Sequence, residues 1–292
     1  MIAELTDPVP FDQALAFARD RVSLPTTLGH GALTSLRREL GQRALILARV
    51  SDARILSAVH RRISELARGI QDRPGDYMDP ATFRVEMQQI LNLTGYQAES
   101  GREGTISDLR STARLNLIVD TETDLASGRA QQAADLDPDV ADAFPAWELY
   151  RAKKPNGIER DWEERWRTAA AASGDDDALA ALESTGRMMA RKDSAIWGEL
   201  GSTDNFDDAI DTDHPPFAFN SGMAVRNINR RTALEAGLIE RGQRITATPQ
   251  QPNPIRINVA DISPEIRQAL MSSTPGATLS AEGDLVDERG IL

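Results

Sequence analysis

The chain has 292 residues, 40% of them hydrophobic but only 5% aromatic, a formal net charge of −12 and no cysteine. Such a length allows two modest domains, an aliphatic core favours helices, and the missing thiols exclude disulfides, cysteine-based zinc sites and thiol nucleophiles. The acidity repels DNA from the chain as a whole, so any nucleic-acid contact has to be local. The first residues carry no basic segment followed by an apolar one, and no run approaches the ~20 apolar residues that cross a bilayer, so a soluble chain without a signal peptide or membrane partner is expected.

Residues 1–30 open as a proline-punctuated arm, Asp7-Pro8-Val9-Pro10, followed by a short amphipathic helix carrying Phe11, Ala14, Leu15 and Ala18 on one face. From Leu33 the spacing predicts one long helix, with Val50, Ile55, Val59, Ile63, Leu66 and Ile70 mostly at three- and four-residue steps, ended by Arg73-Pro74-Gly75. This stretch is locally basic: eight arginines between Leu36 and Arg68 stand against Glu39, Asp52 and Glu65. Arg37, Arg38, Arg54, Arg61 and Arg62 are therefore the candidates for contact with a partner or with DNA, although a solvated or protein-binding helix face is the favoured explanation.

Asp79-Pro80 predicts an N-cap with proline in the first turn of a helix bearing Phe83, Met87, Ile90 and Leu91, stopped at Gly95. After a polar loop over 97–104, Thr105 or Ser107 is expected to cap a helix running to about Ala134, and Asp137-Pro138 to start a short one ending before Pro145. Trp147 to Ala152 alternates as a strand, Lys153-Lys154-Pro155-Asn156-Gly157 is a turn-rich linker, and Glu159 to Ala172 is predicted helical with Trp162 and Trp166 on one face. Asp175-Asp176-Asp177 signals the cap of another short helix, and the chain beyond Gly186 is expected to be loop-rich up to a helix over 230–236 ending in Gly237. Short strands at 255–259 and 285–286 flank a helix started by Ser263-Pro264-Glu265. The expected fold class is α+β and predominantly helical. An arm (1–30) and a helical domain (31–145) precede a smaller mixed domain with few strands and long loops (146–248) and a proline-rich tail (249–292).

Chemistry-bearing residues are few. His214 adjoins Asp204, Asp207, Asp208, Asp211 and Asp213, hard ligands for a divalent cation if they converge, but the spacing is not that of a calcium loop and an acidic solvated loop is favoured. His30 and His60 stand without partners at ligand spacing. The chain contains no phosphate-binding loop, nucleophile elbow or zinc helix. No cofactor, metal or small-molecule substrate is expected. The Trp162/Trp166 pair with Arg160, Arg165 and Arg167 suits a packed helix with a charged outer face better than a base-stacking surface.

A set of motifs remains. Arg114, Thr121-Glu122 and Gly128 lie on one helix, then comes the Trp147 strand, then Arg160-Asp161-Trp162. Ala190 to Trp197, including Asp193, forms a loop, and His214-Pro215-Pro216-Phe217-Ala218-Phe219-Asn220 leads into Ser221-Gly222-Met223. Together these resemble the Mu F-like head morphogenesis family of tailed phages. Trp162 stands where that family has a histidine, and Ser221 and Met223 stand where it has two cysteines, which argues against metal or thiol chemistry here. The resemblance implies a minor head protein that is not an enzyme. It would be placed in the virion, at the head interior or portal vertex, and assembled in the host cytoplasm, with the portal and other head proteins, and packaged DNA, as partners. A portal-adjacent connector subunit and a metal-dependent nuclease or transferase using the Asp204–His214 region are the alternatives. Physically, the two prolines predict an extended segment that turns Phe217 and Phe219 to one side, and Asn220-Ser221-Gly222 is turn chemistry. A buried connecting turn is favoured over a ligand loop.

Overall fold

The computed structural model describes residues 21–28, 33, 40, 44–72, 80–154, 159–245, 264–273 and 278–286. The expected helix around Phe11, the arginines Arg37 and Arg38, His30, the cap Asp79 and the strand at 255–259 lie outside them. The fold is α+β and mostly helical, and it divides into two compact units. One is formed by described residues of Ser127–Gln251, the other by those of Ala14–Ala126 and Pro252–Leu292.

In the second of these units, β1 (Val22–Ser23) pairs in parallel with β2 (Ala44–Leu45). The single long helix expected from Leu33 is therefore interrupted. Ala44-Leu45-Ile46-Leu47 is buried at every position, which suits a short buried strand and not one face of a helix. Helix α1 (Ala53–Asp72) begins only after Asp52, whose carboxylate accepts from the Arg54 amide at 2.8 Å. Helix α2 (Pro80–Leu93) buries Phe83, Met87 and Leu91 and ends before Gly95, which sits at φ 70° as a C-terminal stop. Helix α3 (Thr112–Asp135) starts later than expected. Residues 105–111 are turns, and Ser111 takes the capping role, its Oγ accepting from the Arg114 amide at 3.1 Å.

The division between units falls inside α3, between Ala126 and Ser127, and not near residue 145, because the last turns of α3 pack on the sheet-bearing unit. There, Asp137 caps α4 (Pro138–Ala143), accepting from the amides of Asp139 and Val140. The central strand β3 (Ala146–Arg151) lies antiparallel to both β4 (Met189–Arg191) and β5 (Met223–Ile228). Asp161 and Asp175 cap α5 (Trp162–Ser173) and α6 (Asp176–Thr185), each ended by a left-handed glycine, Gly174 and Gly186. Short helices α7 (Ile196–Gly201) and α8 (Arg230–Glu235) complete the unit. The loop-rich character expected after Gly186 thus gives way to two strands and α7.

One sheet face, with Trp147, Leu149, Met223 and Val225, packs on Trp162, Trp166, Trp197 and Phe217. On the other, Ala146, Met189 and Ile228 meet Ala233, Leu238 and Ile239. Helix α9 (Pro264–Ser273) and the hairpin β6 (Thr278–Leu279) with β7 (Leu285–Val286) belong to the other unit. Leu285 is buried there with Val22, Leu24 and Ala44, and Met271 packs against them, so this part of the proline-rich tail covers the chain's own core.

Candidate functional site

The site is built on the last turns of α3. Gly128 lies against the Pro-Pro turn so closely that a β-carbon would stand 2.0 Å from the Pro215 carbonyl oxygen and 2.8 Å from His214 Nδ1. No side chain fits there. The turn itself is compact, with a cis Pro215–Pro216 bond and Phe217 at φ 46°. The expectation of an extended segment, with Phe217 and Phe219 on one side, is corrected: Phe217 is fully buried and Phe219 only half-buried. The expected buried connecting turn is what the chain forms. Ser221 donates to the Pro216 carbonyl at 2.7 Å, and Asn220 takes a left-handed conformation at φ 53°.

Phe217 inserts into an aromatic column. It stacks on Trp197 at 6.3 Å between ring centroids, and Trp197 meets Trp147 and Trp166 edge-on at 5.5 Å each. Trp162 is buried in the same core, and the Arg165 guanidinium lies over its ring and over Phe206. Arg165 donates to the Leu200 carbonyl and, at 2.7 Å, to Asp208, which also binds Arg160; Arg160 in turn donates to the Phe219 carbonyl at 2.9 Å. Burial works to raise the Asp208 carboxyl, but the hydrogen bonds from Arg165 and Arg160 outweigh it and hold the group below its ordinary value.

His214 is buried beside Asp213, Arg129 and Gln132. Its Nδ1 lies 2.7 Å from the Pro215 carbonyl, and its Nε2 has no hydrogen-bond partner among the described residues. Burial pushes the imidazole below its ordinary value, the Asp213 charge and the Pro215 carbonyl oppose this, and Arg129 adds to it.

Several residues that sequence reasoning did not single out complete the unit. Asp135, the last residue of α3, accepts from Trp147 Nε1 at 2.8 Å and from Asn227 at 2.7 Å, and its carbonyl accepts from Lys192 Nζ at 2.7 Å. Burial lowers the Lys192 ammonium from 10.5 to about 8, against the attraction of Asp135. One signal for it was present: lysine occurs only at 153, 154 and 192 in a chain whose other cations are arginine. Glu148, buried on the second sheet face, binds both Arg187 and Arg226.

The remaining motif residues do not join this cluster. Arg114, Thr121 and Glu122 belong to the other unit, where Arg114 donates to the Ala48 carbonyl at 3.4 Å and Glu122 forms a buried ion pair with Arg21. Asp193 pairs only locally, with Arg191 at 2.9 Å. Among the described residues of the basic stretch, Arg54 binds Asp52 at 2.6 Å, Arg62 binds both Glu65 and Glu86, and Arg61 is exposed. His60 lies 3.0 Å from Ser23 Oγ through its Nδ1.

Of the carboxylates before His214, Asp208 goes to the two arginines and Asp211 to the Thr203 amide and hydroxyl at 3.0 and 2.8 Å, whereas Asp213 Oδ1 is buried without a hydrogen-bond partner among the described residues. Among the described residues no three histidine, cysteine or acidic side chains stand together as a metal site, and no helix is long and apolar enough to cross a membrane. No family model, curated protein or solved structure matches this chain.

Proposed function

We propose that this chain is a structural minor head protein of a tailed phage or prophage. It docks on the portal or procapsid and acts in head morphogenesis or DNA delivery, within the head interior or at the portal vertex, after assembly in the host cytoplasm. One observation carries the proposal. Residues of the resemblance that lie far apart in the sequence, Gly128, Trp147, Trp197 and His214 to Phe217, meet in one unit as a packed scaffold. The site offers packing and anchored polar contacts, which suit a binding protein.

The test is co-expression with the products of neighbouring genes, purification on a tag carried by this chain, and mass determination of what is retained. Capture by a portal ring, with the isolated chain remaining monomeric, is the expected result. A ring of this chain alone would replace the proposal with a connector subunit. Absence of any head or portal protein from the purified material would overturn it.

A further inference from the structure

Glu148 is the one acidic side chain acting on Arg187 and Arg226 among the described residues, and it is only 7% exposed. Arg226 engages it through Nε and Nη2, each at 2.9 Å from a carboxylate oxygen, and Arg187 engages it through Nη2. The side chains of Arg187 and Arg226 are 36% and 55% exposed, respectively. Among the described residues their remaining N–H groups, Nη1 of Arg226 and Nε and Nη1 of Arg187, have no protein partner. Two cations on one anion leave a net charge of +1 held in fixed geometry. The stripe of α1 differs in this respect, since Arg62 there answers to two acids and Arg54 to one of its own.

The surroundings extend the charge. Register pairs Glu148 with Arg226 and Tyr150 with Ala224, so strand alternation puts these four on one sheet face, and the Arg226 guanidinium lies over the Tyr150 ring at 5.3 Å. Lys153 and Lys154 follow the strand end, both exposed, whereas Arg151, paired with Met223, lies on the opposite sheet face and donates to the Ser221 carbonyl at 3.3 Å. Planar guanidinium forks suit phosphate oxygens, and an arginine plate over an aromatic ring presents a flat surface to a base. A short acidic peptide would need the first property only.

We propose that the Arg187–Arg226 pair, set on Glu148 and Tyr150, is a docking point for the sugar–phosphate backbone of DNA, continued by Lys153 and Lys154. It is independent of the head-protein assignment, because it concerns the isolated chain and needs no portal.

The experiment is a titration of a fluorescein-labelled single-stranded oligonucleotide, and of its duplex, with the purified full-length chain at several salt concentrations. Glu148→Gln/Arg187→Gln/Arg226→Gln removes the pair without leaving a buried carboxylate unpaired, and Arg231→Gln, on α8, makes the same change in net charge elsewhere on the unit. The triple variant is expected to bind about tenfold more weakly at low salt, with a shallower salt dependence, while Arg231→Gln binds as the parent does. Thermal melts establish that both variants are folded. If the triple variant misfolds, Arg226→Lys, which keeps the charge on Glu148 but loses the fork, takes its place and is expected to weaken binding several-fold. Equal weakening by Arg231→Gln, equal competition by poly-glutamate, or no binding by the parent chain would each overturn the proposal.

Discussion

At the scale of single residues, the closest constraint is at Gly128. A methyl group there meets a backbone carbonyl and not the end of a flexible side chain, so relief requires the turn or the helix to move. Gly128→Ala is expected to destabilise the protein by about 3 kcal/mol, the upper range for overpacking, as read by thermal or denaturant unfolding; a midpoint equal to that of the parent would contradict the contact. His214 gives a pH signature. Its folded-state value is lowered, so the stability tied to its neutral form is full above the ordinary value of 6.5 and is lost as pH falls through the lowered one. The parent should therefore lose more thermal stability than His214→Asn between about pH 7 and about pH 5, and parallel profiles would refute this. Both residues were visible in the sequence as parts of a motif. Why a glycine is needed was not visible, because the carbonyl that excludes a side chain comes from a distant loop. The left-handed φ of Phe217 was hidden for a similar reason: proline fixes its own φ but says nothing of the residue after it.

Secondary-structure elements were legible where a capping side chain marks their ends. Asp137 and Asp175 each accept from amides of the first turn, as their positions indicated, whereas the helix expected from Glu159 begins only at Trp162, where Asp161 accepts from the Glu164 amide. Asp161→Ala is expected to cost about 1 kcal/mol of stability, measured by chemical denaturation. Strands β2, β4 and β5 escaped notice because two to six residues are too few for a period to declare itself, and Met223 to Ile228 sends side chains into cores on both sheet faces. Lys192 ties the C-terminal end of α3 to this sheet. Its folded-state value, about 8, lies below the ordinary 10.5, so the unfolded chain holds the proton more tightly and stability rises with pH across that window. The difference in melting temperature between the parent and Lys192→Met should grow in the parent's favour from about pH 7 to about pH 9. A difference independent of pH would remove Lys192 from this role.

Across the whole molecule, the helical content and the α+β character were readable from composition and periodicity, but the boundary between units was not. A sequence break at Pro145 looks like a domain edge, yet the packing of Gly128 and Asp135 draws the end of α3 into the following unit. The net charge of −12 makes the compact state repel itself, while the ion pairs of Glu148 and Asp208, each with one buried side chain, are screened less than fully exposed pairs are. Moderate salt at neutral pH should therefore raise the melting temperature by a few degrees, and a fall would mean that exposed ion pairs outweigh the net repulsion.

The fit between Gly128 and the Pro215 carbonyl also has a bearing on ancestry. Helix and turn can change only in concert: a lineage that gains a side chain at the first position must reshape the second, and one that loses the proline turn frees the glycine. The two positions therefore form a paired signature, and its joint presence or joint loss can sort distant kin when overall sequence similarity has faded.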